Sequence, residues 1–343
     1  MVQKQFDYLV FIGRFQPLHI GHIEVLNRAR ELASTVIVLV GSSFQPRTPK
    51  NPFTYEERAD MIRNVFDEND RSWLMIRPLR DKPYNDQKWA NQVQQEVSRC
   101  LPWSDKPLKG GIIGHRKDES SFYLDLFPQW GAPVDHCMNE LVHATNIREL
   151  YFESSLKFAY GVVPEVVLNE MARFKGTPAW ENLAKEHIII KKYREAWKAA
   201  PYDVIFQTGD AVVVQSGHIL LVRRGGYPGK GLLALPGGFI NVRERVVDGI
   251  LRELREETKL KLPEKVLRGC IKRVQLFDAV DRSLRGRTIT HAALIELPAG
   301  ALPPVKGSDD AEKAFWLPLS AIREEEMFED HYHLIDELVG GLA

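Results

Sequence analysis

Cysteine is scarce in this chain: three residues, Cys100, Cys137 and Cys270, among 343. An odd number without metal-ligand spacing excludes a disulfide framework and reads as reduced thiols in a cytosolic protein. Net charge is lacking too, because 46 Lys and Arg offset 46 Asp and Glu. The electrostatic footprint of a duplex-binding protein is missing, so no nucleic-acid partner is expected and anions would be held by local clusters. Long hydrophobic runs are also missing. The first one, Tyr8 to Ile12, gives way to Gly13 and Arg14. A membrane span needs about 20 apolar residues, and a secretory signal needs a longer run with a small-residue cleavage site. The expectation is a cytoplasmic protein with no membrane partner.

What is present is an ordinary globular composition, 44% hydrophobic and 27% charged, long enough for two cores. In the first half, the apolar runs Phe6–Ile12 and Thr35–Val40 read as strands buried on both faces. Ile23 to Leu32 between them has helical spacing. Leu74–Ile76 and Gly111–Ile113 read as further strands, with a helix around Lys88–Val97 between them. Strand, helix, strand in alternation argues for a parallel sheet with crossover helices. After about residue 175 the character changes: a turn-rich stretch precedes a charged helix, Glu181–Ala199, which Pro201 stops. A β-rich half follows, opening with a hairpin in which Asp210–Val214 and His218–Arg223 flank Gln215-Ser216-Gly217. The expected organisation is a first domain over 1–175, a helical linker over 176–202 and a second domain over 203–343.

Gly13-Arg14-Phe15-Gln16-Pro17-Leu18-His19-Ile20-Gly21-His22 follows the first strand and opens a helix. Ligands of open α/β sheets bind at such strand ends, where helix amino termini offer free N–H groups. His19 and His22 are three apart and can point from one side of the first turn, and Gly21 lets a phosphate approach the backbone. With Arg14 they form a donor cluster suited to a polyphosphate gaining charge in a transition state. Two histidines so spaced are common on surface helices, so the surrounding string matters. G-R-F-x-P-x-H-x-G-H resembles the signature of the nucleotidyltransferase superfamily and, more narrowly, of the nicotinamide mononucleotide (NMN) adenylyltransferases.

Asn51-Pro52-Phe53-Thr54-Tyr55-Glu56-Glu57-Arg58 resembles that family's N-P-[FW]…E-R segment, and Tyr84-Asn85-Asp86-Gln87-Lys88-Trp89 its Y-N-x-x-x-W stretch. The resemblance implies that Trp89 stacks on nicotinamide, which suits a flat indole and a cationic ring. Gly114-His115-Arg116-Lys117-Asp118 follows a strand and offers cations to a substrate phosphate. The superfamily's second signature, I-S-S-T-x-x-R, has a weaker counterpart ending in Thr145-Asn146-Ile147-Arg148, with His143 and Ala144 at the serine positions. Thr145 is expected to cap a helix and Arg148 to clamp a triphosphate. The implied chemistry is adenylyl transfer from ATP to NMN, giving NAD and pyrophosphate. Its phosphate nucleophile needs no general base; alignment and charge neutralisation by Arg14, His19, His22, Arg148 and Mg²⁺ suffice. Gly13, Phe15, Gly21 and Arg58 fall within these segments and are expected at the nucleotide.

In the second half, Leu235-Pro236-Gly237-Gly238 and Glu244 lead into a helix over Arg245–Leu260. Val246, Val247, Ile250, Leu251 and Leu254 form its buried stripe. Glu253, Glu256 and Glu257 stand at i, i+3 and i+4, so three carboxylates gather on another face and call for hard cations such as Mg²⁺ or Mn²⁺. Arg252 can orient one of them. From Gly238 onward the string resembles the Nudix box, G-x5-E-x7-R-E-U-x-E-E-x-G-U with U aliphatic. Lys259 departs from it at the last glycine, so either it bears a left-handed conformation, costing about 1–2 kcal/mol, or the helix runs on. The resemblance implies metal ligation by Glu244, Glu253, Glu256 and Glu257, with Gly237, Gly238 and Arg252 at the substrate.

Asp281-Arg282-Ser283-Leu284-Arg285-Gly286-Arg287 resembles the D-R-x-x-R-G-R segment of ADP-ribose-cleaving Nudix enzymes, so Arg282, Arg285 and Arg287 are expected to hold a diphosphate or stack on adenine. Asp309-Asp310 precedes Phe315-Trp316 and receives no role. Both halves together resemble the bifunctional NMN adenylyltransferase/Nudix hydrolase family. The implied fold is α/β: a Rossmann-like nucleotidyltransferase domain, then an α/β/α Nudix domain with a mixed sheet. The implied second activity is Mg²⁺-dependent cleavage of ADP-ribose to AMP and ribose 5-phosphate. Rival readings of that half are hydrolysis of NADH or a dinucleoside polyphosphate, or a non-catalytic ADP-ribose sensor. The box carboxylates are intact, which is unlike such sensors. Partners are expected to be small nucleotides, and a homo-oligomer stays open.

Overall fold

The computed structural model describes residues 4–116, 119–135, 143–154, 156–307 and 311–341. Cys137, Lys117, Asp118, Asp309 and Asp310 lie outside the described residues. The chain divides into two compact units, Met1–Ala184 and Lys185–Ala343.

In the first unit, β1 (Phe6–Gly13), β2 (Ala33–Val40), β3 (Leu74–Pro78), β4 (Gly110–Gly114) and β5 (Val134–Asp135) form an all-parallel sheet in the order β3-β2-β1-β4-β5. The continuous apolar run of β1 serves two cores. Leu9 and Phe11 join one cluster with Val25 and Leu26, whereas Tyr8, Val10 and Ile12 join another with Val93 and Val97. Those partners come from α1 (Ile20–Leu32) and α3 (Asp86–Ser98), so helices cover the sheet as a doubly wound fold requires. Strand order reverses between β1 and β4, which places the switch point beside Gly13.

The second helix, α2 (Tyr55–Asn64), opens with Thr54, whose hydroxyl accepts the Glu57 N–H while the Glu57 carboxylate accepts the Thr54 N–H. Two further helices, α4 (Ala144–Glu153) and α5 (Glu165–Lys175), follow. The charged helix α6 (Pro178–Trp197) starts three residues before the expected Glu181, because Thr177 accepts the Trp180 N–H at 3.2 Å. The boundary between the two units falls inside it, after Ala184.

The second unit has a mixed sheet. β6 (Phe206–Gln215) runs parallel to β11 (Thr288–Glu296); all other pairs are antiparallel, in the path β10-β11-β6-β7-β12 with β8 on β7 and β9 on β6. Here β7 is His218–Arg224, β8 Leu233–Ala234, β9 Gly237–Phe239, β10 Ile271–Phe277 and β12 Ala311–Pro318. The opening hairpin is tighter than the sequence suggests. Gln215 pairs with His218, so the turn is Ser216-Gly217, with φ of 48° and 74°, the twist that two-residue hairpins favour.

The box helix, α7 (Val246–Thr258), buries Ile250, Leu251 and Leu254 against Ala211, Val213, Leu220, Ala293 and Ile295 of the sheet. It does not run on: Lys259 takes the left-handed conformation (φ 50°, ψ 28°) and closes it. Helices α8 (Glu264–Gly269) and α9 (His331–Val339) complete the unit. Among the described residues no helix is long and apolar enough to cross a membrane.

Candidate active sites

At the end of β1 the chain doubles back. Phe15 has φ 51°, and its ring packs so closely that a Cβ on Gly13 would lie 2.8 Å from it. Phe15 is 1% exposed and meets Phe11 edge to face at 5.4 Å, so it floors the loop instead of facing a nucleotide. His19 caps α1, and its N–H donates to His22 Nδ1 at 3.3 Å; the two rings lie 3.8 Å apart. Nδ1 of His22 being an acceptor, the proton of that ring sits on Nε2. Nδ1 of His19 has no partner among the described residues. Burial, followed by the charge of His143, pulls His19 down to about 4; burial, followed by His19, pulls His22 well below its usual range. At neutral pH the pair are therefore uncharged donors, not cations.

Among the described residues, Arg14 and Arg148 bring positive charge to this rim. Arg14 is exposed, and its guanidinium makes no hydrogen bond among the described residues. Arg148 donates to the Gln16 carbonyl at 2.8 Å and to Thr145 Oγ1 at 3.1 Å, which ties α4 to the histidine loop. Thr145 is thus inside α4 supporting Arg148; His143, not Thr145, occupies the cap. Gly21 is buried in the first turn of α1. Arg58 also departs from expectation. Its guanidinium is sealed from solvent and spent on the carbonyls of Arg14, Gly41, Ser42 and Thr54, leaving it a scaffold and not a ligand.

Trp89 is half-buried in the first turn of α3, edge-on to Tyr123 at 6.1 Å. Gly114 ends β4, where a Cβ would meet Leu124 at 2.9 Å. Arg116 is exposed and held bidentately by Asp125 at 2.9 and 2.5 Å. Asp81 lies outside every motif segment in the sequence. Its carboxylate accepts the Ser42 N–H (3.1 Å), the Ser42 hydroxyl (2.6 Å) and the Gln45 amide (3.0 Å), fixing the loop after β2.

In the second unit the carboxylates organise around Arg252. Its Nε donates to Glu244 Oε1 at 2.8 Å, Nη2 to Glu244 Oε2 at 3.0 Å, and Nη1 to Glu253 (2.7 Å) and Glu256 (2.9 Å). These bonds hold Glu244 down at about 2. Glu244, expected as a metal ligand, has both oxygens committed and acts as the anchor of Arg252.

Glu257 stands apart. Its Oε2 accepts the Gly237 N–H at 3.0 Å, and burial, with Glu253 and Asp210 nearby, pushes it up to about 8; burial also raises Glu253. Buried hard-oxygen donors that resist ionising alone are the donor set a divalent cation suits. Gly238 lets this helix approach, since a Cβ there would lie 2.6 Å from the Glu253 carboxylate.

A cavity lies over these groups, lined by Gly237, Gly238, Phe239, Glu257, Arg282 and Arg285 and also by Asp210, Glu329 and His331. Arg282 is nearly inaccessible and paired with Asp330 at 2.9 and 2.7 Å, so it props the wall. Arg285 reaches between Phe239 and Phe328, 5.6 and 5.9 Å from their ring centres, and faces Glu329 at 3.6 Å. Arg287 is not among the lining residues and donates to the carbonyls of Asp278 and Ala279. Asp210, Glu329 and His331 went unread. The available signals were a lone charge interrupting the apolar run of β6 and the titratable string Glu329-Asp330-His331 ahead of an apolar helix.

The cytidylyltransferase-like model matches residues 10–97 and the NUDIX domain model residues 206–338, so fold and sites define a nucleotidyltransferase-type unit followed by a Nudix unit in one chain. The nicotinamide/nicotinic acid mononucleotide adenylyltransferase of Acinetobacter baylyi is 38% identical over 183 residues, 53% of this chain and 94% of that protein. The ADP-ribose pyrophosphatase of Methanocaldococcus jannaschii is 33% identical over 127 residues, 36% of this chain and 70% of that protein. A crystal structure of a bifunctional NMN adenylyltransferase/ADP-ribose pyrophosphatase from Francisella tularensis, complexed with AMP and a manganese ion, superposes with a TM-score of 0.89 at 32% identity, covering 97% of this chain and 98% of that one. The chain belongs to the bifunctional NMN adenylyltransferase/ADP-ribose pyrophosphatase family.

Proposed function

We propose that this protein makes NAD and pyrophosphate from ATP and NMN in its first unit and cleaves ADP-ribose to AMP and ribose 5-phosphate in its second. The observation that carries the reading is the pairing, in one chain, of the His19–His22 donor loop at a sheet's switch point with the Glu253–Glu257 carboxylates beside the Gly237-Gly238 turn. We assign residues 1–175 to the first activity, 203–343 to the second and 176–202 to the linker.

In the first unit, His19 and His22 donate to the phosphates, Arg14 and Arg148 neutralise them, and Trp89 receives the nicotinamide ring. Mg²⁺ accompanies the ATP. The attacking phosphate is already anionic, so the site's work is alignment and charge neutralisation. In the second unit, Glu253, Glu256 and Glu257 would hold Mg²⁺ or Mn²⁺, which supplies electrophilic activation of the diphosphate. Arg252 orients Glu253 and Glu256, and Arg285 with Phe239 offers a cationic, aromatic wall to the substrate. With the box carboxylates all present, hydrolysis is favoured over mere sensing. Small nucleotide substrates and free thiols at Cys100 and Cys270 suit a cytoplasmic protein of NAD metabolism.

The test is to incubate the purified chain with NMN and MgATP, and separately with ADP-ribose, NADH or a dinucleoside polyphosphate plus Mg²⁺, and to identify products by chromatography. NAD from the first mixture and AMP with ribose 5-phosphate from ADP-ribose are expected. Absence of NAD overturns the first assignment, and preferential cleavage of another diphosphate overturns the second.

A further inference from the structure

His331 opens α9 and Asp210 sits in β6; neither belongs to the glutamate box, yet both line the cavity that Glu257 and Gly237 line. Nδ1 of His331 accepts the Leu235 N–H at 2.9 Å, so in this ring the proton is on Nε2. That nitrogen faces Asp210 Oδ1 at 4.0 Å, while Asp210 Oδ2 takes the Thr290 hydroxyl at 2.5 Å. All three side chains are buried.

The stretch gripped by His331 leads straight to the glutamates. Leu235 is followed by Pro236, which has no amide N–H, and then by Gly237, whose N–H meets Glu257 Oε2 at 3.0 Å. Two side-chain acceptors, His331 and Glu257, thus hold the amides on either side of the proline. Asp210 abuts the same turn, for a Cβ on Gly237 would lie 2.3 Å from its Oδ1. Without His331 the buried Leu235 N–H would lose its acceptor, and the turn would shift to find another.

We propose that His331, with Asp210 abutting the same turn, is a positioning residue for diphosphate hydrolysis: it sets the Leu235–Gly237 turn against which Glu257 is aligned. The inference rests on the hydrolytic reading of this pocket. A displacement of about 1 Å in such a turn is enough to cost roughly 100-fold in rate.

The test uses the full chain, in which NAD formation by the first unit reports that each preparation is intact. His331→Leu removes both ring nitrogens, His331→Asn restores an acceptor near the Nδ1 position, and Thr290→Val frees Asp210 without changing shape. For ADP-ribose with Mn²⁺, His331→Leu is expected to lower kcat about 30- to 100-fold with KM nearly unchanged. His331→Asn recovers most of that loss, Thr290→Val loses about 3- to 10-fold, and NAD formation is unchanged in all three. Hydrolysis by His331→Leu and Thr290→Val within twofold of the parent overturns the inference, as does His331→Asn being as slow as His331→Leu. If His331→Leu does not fold, His331→Gln, whose amide oxygen lies one carbon beyond the Nδ1 position, decides: a kcat loss relative to His331→Asn sustains the inference and equal kcat overturns it. A parent that leaves ADP-ribose intact overturns the hydrolytic reading, and the inference falls with it.

Discussion

Arg58 Nη1 lies 2.6 Å from the Arg14 carbonyl and 2.7 Å from that of Gly41, so one solvent-sealed guanidinium bolts the loop after β1 to the loop after β2. Preorganisation of the donor loop depends on that bolt, because Arg14 and the histidines follow directly. Replacing Arg58 by Met strands several carbonyls. Urea unfolding should show a loss of about 1–3 kcal/mol for each carbonyl left unsatisfied, with NAD formation falling in parallel. Parental stability would remove Arg58 from the scaffold.

The histidine pair should be indispensable to adenylyl transfer alone. His19→Ala and His22→Ala are each expected to lower kcat for NAD formation by about 100-fold or more, measured by chromatography with saturating NMN and MgATP. ADP-ribose cleavage by the same preparations should match the parent. Undiminished NAD formation would disqualify the pair.

The same histidine predicts how stability responds to acid. His19 titrates at about 4 in the folded protein, below the ~6.5 of an unfolded chain. Between those values the unfolded chain binds more protons, so stability rises with pH through the window. The contribution is whole above the upper value and gone below the lower one. Urea midpoints at both ends of the window, for parent and His19→Gln, should show the parent losing more on acidification. Equal losses would contradict the neutral, buried imidazole.

Trp89 is the side chain proposed for the nicotinamide ring. Trp89→Ala should raise KM for NMN about tenfold while KM for ATP stays near the parent value. An unaltered KM for NMN would assign the indole to packing against Tyr123 and Phe127.

Glu257→Gln separates the two activities in the opposite sense. ADP-ribose cleavage should fall by at least about 100-fold, and manganese binding, followed by calorimetry, should weaken. NAD formation should persist. Residual cleavage equal to the parent would count against Glu257 in the metal site.

Much of the framework was legible from one-dimensional pattern. β1 and β2 are apolar without alternation because helices cover both faces, and the stripe of α7 repeats because one face meets the sheet. Motif membership could not tell a residue that touches a ligand from one that holds the toucher in place. Motifs alone place Phe15, Arg58, Glu244 and Arg282 at ligands; burial and hydrogen bonding make them supports. The reverse error hid Asp210, Glu329 and His331, since that wall joins a strand to segments far along the chain. Lys259 leaves two local outcomes open in the sequence, and the structure takes the left-handed one.

The parallel register of β6 with β11 pairs Phe206 with Thr288 and Val214 with Glu296. Partners separated by roughly eighty positions cannot meet until a large loop has closed, which is an entropic toll that local hairpins escape. Until that loop closes, β6 has one edge without its partner strand. A chain cut ahead of β11 leaves that edge of β6 open to pairing with foreign strands.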